Sequence, residues 1–147
     1  MSRHLLLVED NATDEKLTLH VLRRAGFDGT VTVARDGAEA LALLLGDPAA
    51  RESAPVPDLV LLDLKLPRIG GLDVLRRIRA DARIGRVPVV VLTASREDDD
   101  VDRSYRLGAN AYVRKPVDLN LFLEAARSIV AFWCVLNEPA RPARGTP

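Results

Sequence analysis

The chain has 147 residues, 48% of them apolar, which is enough for one domain with a buried core. Its 21 basic and 21 acidic side chains balance, which argues against bulk attraction to nucleic acid or to an anionic membrane. The one cysteine, Cys134, excludes an intramolecular disulfide and a cysteine-based metal cluster; no signal peptide fits Met1-Ser2-Arg3-His4, no apolar run approaches the ~20 residues of a membrane span, and a cytoplasmic protein is expected.

Strand-like and helix-like runs alternate along the chain. Residues 5–8 read as a buried strand that ends on Glu9-Asp10. Residues 13–24 read as a helix, with Asn11 or Thr13 as N-cap and Gly26 as its stop. Residues 30–34 alternate as a half-buried strand does. A helix over 38–45 stops at Gly46-Asp47-Pro48, and the polar loop over 47–57 is longer than most connections of its kind. A fully apolar strand over 59–62 ends on Asp63, and Pro67-Arg68-Ile69-Gly70-Gly71 is a turn cluster. A helix over 72–82 places Leu72, Leu75, Ile78 and Ala82 on one face. An apolar strand over 87–92 ends on Thr93. The helix over 97–107 opens on four acids, which suits the positive end of a helix, and Gly108 ends it. A short strand over 111–113 leads to Arg114-Lys115-Pro116, and the last helix runs over 118–137. Residues 1–137 form the predicted domain, with a disordered tail over 138–147.

Five βα units in alternation imply an α/β fold. The expected architecture is a doubly wound, five-stranded parallel sheet of flavodoxin-like order 2-1-3-4-5 in three α/β/α layers. Unbroken Leu/Val runs suit strands covered on both faces, and the alternating second strand suits an edge. In such sheets ligands sit beyond the carboxyl ends of the strands, where the order reverses between strands one and three. Glu9-Asp10 and Asp63 end those two strands, and Thr93 and Lys115 end the next two. Three carboxylates held together repel unless a hard cation sits among them, and Mg²⁺ takes oxygen ligands of this type. Asp10 and Asp63 are the expected direct ligands, with Glu9 acting through water and a backbone carbonyl after Asp63 adding another oxygen. Asp63 is the candidate nucleophile toward phosphorus. Thr93 and Lys115 are placed to bind phosphoryl oxygens. Each residue alone has an ordinary reading as a turn, a cap or a surface side chain; their order on one sheet edge makes the set informative.

Together, Glu9-Asp10, Leu62-Asp63-Leu64-Lys65-Leu66-Pro67, Thr93-Ala94 and Lys115-Pro116 resemble the receiver domain of two-component response regulators of the chemotaxis-regulator type. The resemblance implies that Asp63 is the phosphoacceptor for a sensor histidine kinase. It implies a metal site of Glu9, Asp10, Asp63 and the Lys65 carbonyl, and a cis Lys115–Pro116 peptide. It also implies a switch in which Thr93 moves toward the phosphoryl group, Tyr112 turns inward, and a surface on the fourth helix, fifth strand and fifth helix responds. The protein would be a stand-alone phosphoacceptor with no output domain, catalysing only its own Mg²⁺-dependent phosphorylation and dephosphorylation. Three positions depart from the family pattern. Lys65 is cationic where a neutral side chain is common, the small Ser95 would ease access to the site, and Gly70-Gly71 replaces an acidic-Gly pair. A haloacid-dehalogenase-like phosphatase would need a carboxylate at position 65, and a pseudo-receiver would lack one of the acidic or lysine positions.

The last helix is apolar around most of its circumference, which exceeds what a one-sided helix needs. Phe122, Ile129, Trp133 and Leu136 form one stripe, and Leu121, Ala125, Phe132 and Val135 form another. One can face the sheet. The other needs a cover, for which a second copy of the chain is expected ahead of the tail or a separate partner. The dimer candidates are Phe122, Ile129, Phe132, Trp133 and Leu136. The Phe132-Trp133 end and the long loop before Asp63 also resemble single-domain regulators paired with bacterial phytochrome kinases.

Overall fold

The computed structural model describes residues 3–46, 55–138 and 140. Most of the long loop and nearly all of the tail expected from the sequence lie outside them. Five strands, β1 (His4–Val8), β2 (Thr30–Ala34), β3 (Leu59–Leu62), β4 (Val89–Thr93) and β5 (Ala111–Arg114), form one sheet. Its order is β2-β1-β3-β4-β5 with every pairing parallel, as expected. The helices are α1 (Ala12–Arg24), α2 (Gly37–Leu45), α3 (Gly71–Ala80), α4 (Asp98–Arg106) and α5 (Leu119–Ile129), the last continuing as a π-helical segment, Val130–Leu136.

Short polar side chains start three of these helices. Asn11, Asp36 and Asp118 each accept a hydrogen bond from the backbone N–H three residues on, satisfying a donor the helix itself leaves free. Helix α3 ends two residues earlier than the sequence suggests, because Asp81 Oδ1 accepts from the N–H groups of Arg83 and Ile84 and turns the chain.

Strand side chains alternate between two cores. Leu5, Leu7, Leu59, Leu61, Val90 and Leu92 meet α1 and α5 on one face; Leu6, Val8, Val60, Leu62 and Val89 meet α2 and α3 on the other. Truncating any of these leucines to alanine would cost roughly 2–5 kcal/mol. Helix α4 is held differently. Its sole buried residue is Ser104, so few apolar contacts resist its displacement. Its C-terminal end is pinned by Arg79 of α3, whose guanidinium donates to the carbonyls of Gly108 (2.9 Å), Gly85 (3.1 Å) and Val87 (2.6 Å) and to Asn110 Oδ1 (2.8 Å).

The last helix corrects the stripe assignment. Phe122 and Ile129 are buried in the core with Ala126, Val130 and Cys134, so they are not free to meet a second copy. The π-helical turns explain the rest: i→i+5 bonding, as from Asn137 N–H to the Phe132 carbonyl, changes the angular step. Leu136 then swings out to 73% exposure, Trp133 is half-buried, and Leu121, Phe132 and Val135 remain exposed. Over Leu119–Leu136 length and composition alone would pass for a membrane span, but one side of that helix packs on the sheet, as a core helix does.

Candidate functional site

The carboxyl ends of four strands deliver the expected side chains, and the backbone ladder sets their positions. Asp63 N–H donates to the Val8 carbonyl (3.1 Å), Glu9 N–H to the Ala34 carbonyl (2.9 Å) and Lys115 N–H to the Thr93 carbonyl (2.8 Å). With Val8 paired to Leu62, Glu9 and Asp63 leave the sheet at the same level on adjacent strands.

Asp63 is the hub. Thr93 Oγ1 donates to its Oδ1 (2.8 Å), the Lys65 N–H approaches the same oxygen (3.3 Å), and Lys115 Nζ donates to its Oδ2 (2.9 Å). Lys115 Nζ also donates to Glu9 Oε1 and to Asp14 Oδ2 (3.3 Å). Glu9, Asp63 and Thr93 are buried, while Asp10 is exposed at the rim. One oxygen from each of Glu9, Asp10 and Asp63 lies within 4.8 Å of the others. All the donors are hard oxygens and the cluster is short of positive charge, which fits a divalent cation.

The electrostatics reflect burial first and the crowding of charge second. Burial pushes the Glu9 carboxyl up to about 7, against a Lys115 hydrogen bond that pulls it down, with the neighbouring Asp63 charge adding to the rise. Burial alone would lower the Lys115 ammonium, but the hydrogen bonds it donates to Glu9 and Asp63 outweigh burial and hold the lysine above its usual range.

One sequence expectation needs correction here. The Lys115–Pro116 peptide is trans, and no described peptide bond is cis. A trans X–Pro bond is the lower-energy form, and from it Lys115 already spans to Glu9 and Asp63. Ser95 is 4% exposed, and its Oγ donates to Asp100 Oδ2 (2.5 Å) in the first turn of α4. Tyr112 is half-buried, with its hydroxyl donating to the Ser95 carbonyl (3.2 Å), so Thr93, Ser95, Asp100 and Tyr112 form one connected patch. The Lys65 side chain is exposed. Sequence reasoning missed Asp14, to which it gave no role, and Asp100, whose place among the four acids opening the fourth helix gave it an adequate explanation as a dipole partner.

The response regulator receiver domain model matches residues 5–127. Response regulator Rcp1 of Synechocystis sp. is 40% identical over 129 residues, 88% of this chain and 87% of that protein. The crystal structure of the Mn²⁺-bound form of Rcp1 aligns with a TM-score of 0.84 at 37% identity, covering 94% of this chain and 99% of that one. The phosphorylated cyanobacterial phytochrome response regulator RcpA aligns with a TM-score of 0.84 at 36% identity, covering 95% and 99%. The bacteriophytochrome response regulator RtBRR is 48% identical, with a TM-score of 0.74 and coverage of 95% and 85%.

Proposed function

The chain belongs to the response regulator receiver domain family, and on that premise we propose that Asp63 accepts a phosphoryl group from a phosphohistidine of a sensor histidine kinase, with Mg²⁺ held by Glu9, Asp10, Asp63 and the Lys65 carbonyl. A carboxylate oxygen of Asp63 forms the new O–P bond as the N–P bond of the donor breaks, and the imidazole leaves with the bond's electron pair. The bound cation supplies positive charge for the phosphoryl oxygens. Lys115 shares that role as an ammonium, and Thr93 supplies a hydroxyl donor. The observation that carries this reading is the convergence of Lys115 and Thr93 on the two oxygens of the buried Asp63.

Phosphorylation replaces a charge near −1 with one near −2 and adds acceptor oxygens. Thr93 then exchanges its bond to Asp63 for one to the phosphoryl group. The shift passes to Ser95, Tyr112 and the first turn of α4, the helix least committed to a core. The likeness to RcpA and RtBRR supports a bacteriophytochrome as the kinase, and the balanced charge supports a protein that does not contact nucleic acid directly. The exposed Leu121, Phe132, Val135 and Leu136 support a homodimer through the C-terminal helix, with Trp133 at its edge.

Acetyl phosphate with Mg²⁺ should add about 80 Da, the mass of one phosphoryl group, to the wild type and nothing to Asp63→Asn. An undiminished adduct on the variant would remove Asp63 as acceptor. For the dimer, Phe132→Glu should shift sedimentation to the monomer with little change in stability. A Phe132→Glu protein that still sediments as a dimer would place the interface elsewhere.

A further inference from the structure

An ammonium carries three hydrogens, and Lys115 meets three carboxylates: Glu9, Asp63 and Asp14. The first two belong to the strand ends. Asp14 sits in the first turn of α1, 101 residues from the lysine, and its position is set by the helix cap, since its N–H donates to Asn11 Oδ1 (2.9 Å). An acid at this third helical position ordinarily reaches back to the N–H of the capping residue. Here that N–H is taken by Glu9 Oε2 (3.2 Å). The Asp14 carboxylate turns instead to Lys115 (3.3 Å) and keeps 42% of its side chain in solvent. Its neighbour Glu15 faces away and pairs with Arg35 at 3.0 and 3.1 Å.

We propose that Asp14 is a positioning residue that competes with the phosphoryl group for the Lys115 ammonium. The proposal rests on the reading of Asp63 as phosphoacceptor. A phosphoryl group on Asp63 takes over the hydrogen that Lys115 now gives to Asp63 Oδ2 and draws the ammonium toward phosphorus, against the pull of Asp14. It also brings a further negative charge close to the Asp14 carboxylate. Both effects have one sign, so the carboxylate weakens phosphoryl binding. Asparagine in its place keeps an acceptor oxygen for Lys115 and removes only the charge. One unit charge a few ångströms away in near-aqueous surroundings is worth on the order of a threefold change in an equilibrium constant.

The test uses the full chain, saturating Mg²⁺ and beryllofluoride as the phosphoryl mimic, with binding measured by calorimetry. Asp14→Asn should tighten binding about threefold, Asp14→Glu should restore wild-type affinity, and Glu15→Gln should leave it unchanged. A second measurement needs neither metal nor phosphoryl group: hydrogen exchange of the Lys115 ammonium by ¹⁵N NMR should quicken in Asp14→Ala and not in Glu15→Gln. Wild-type affinity in Asp14→Asn, or equal tightening in Glu15→Gln, would overturn the proposal while leaving the phosphoacceptor reading intact. If beryllofluoride fails to bind even the wild type, the phosphoacceptor reading falls, and the proposal that depends on it falls too. In that case the exchange measurement still decides whether Asp14 holds the lysine. Unchanged Lys115 exchange in Asp14→Ala would overturn the contact itself.

Discussion

Removing the ionisable group at position 9 should abolish a contribution to the pH dependence of stability that runs opposite to ordinary acid denaturation. Glu9 is 1% exposed, and its carboxyl is pushed up to about 7 from 4.5, chiefly by burial. A raised carboxyl means that the folded chain holds the proton more tightly than the unfolded chain. Its contribution to stability is therefore full below about 4.5 and is lost as pH rises through about 7. At 1.36 kcal/mol per pH unit, the gap between 4.5 and about 7 is worth about 3 kcal/mol. Urea denaturation in EDTA, followed by circular dichroism between pH 5 and pH 8, measures it. The other carboxylates titrate in both proteins, so the informative quantity is the stability of the wild type minus that of Glu9→Gln. That difference should fall by about 2–3 kcal/mol from pH 5 to pH 8. Mg²⁺ at a hundred times its dissociation constant should return about 2.7 kcal/mol to the wild type at pH 8, and much less to Glu9→Gln. A flat difference across this range, or one that rises with pH, would refute the view that burial and the Asp63 charge dominate at Glu9.

Further outcomes follow from other contacts. In Gly71→Ala the new Cβ would lie 2.3 Å from the Asp63 carbonyl oxygen and 2.6 Å from Leu64 Cα, both backbone atoms, so the loop carrying Asp63 must shift. The expected result is a loss of about 1–3 kcal/mol in urea denaturation and weaker Mg²⁺ binding by titration; unaltered values for both would show that the loop gives freely. Arg79→Met should cost about 2–4 kcal/mol by leaving three carbonyls and Asn110 without their charged donor, and hydrogen exchange at Gly108 and Ala109 should accelerate more than exchange in β1. Cys134 is buried and its thiol is pushed up to about 11, mainly by that burial. It should resist iodoacetamide at pH 8 in the native protein and react after unfolding, whereas prompt native alkylation would show that the end of α5 opens readily.

Strand positions and the polar residue at the end of four of the five strands were legible from local pattern. A run such as Leu59–Leu62 is apolar because both faces of β3 are covered, and Asp63 marks where cover stops. Parallel βα units left few possible sheet orders, so the meeting of Glu9, Asp63, Thr93 and Lys115 could be inferred from their places in the series. Three-dimensional packing decided what local pattern does not encode. The Asp14–Lys115 contact depends on where the first turn of α1 stands over the sheet, and nothing within a few residues of either partner signals it. Arg79 is one of several arginines on α3, and only the arrival of the Gly108 loop beside it makes it a clamp. The phase of the last helix was misjudged because a fixed angular step was carried into a segment where i→i+5 bonding changes the step, turning Leu136 outward. Periodicity reports which residues want cover; distances between remote side chains depend on backbone placements that only the assembled sheet and helices supply.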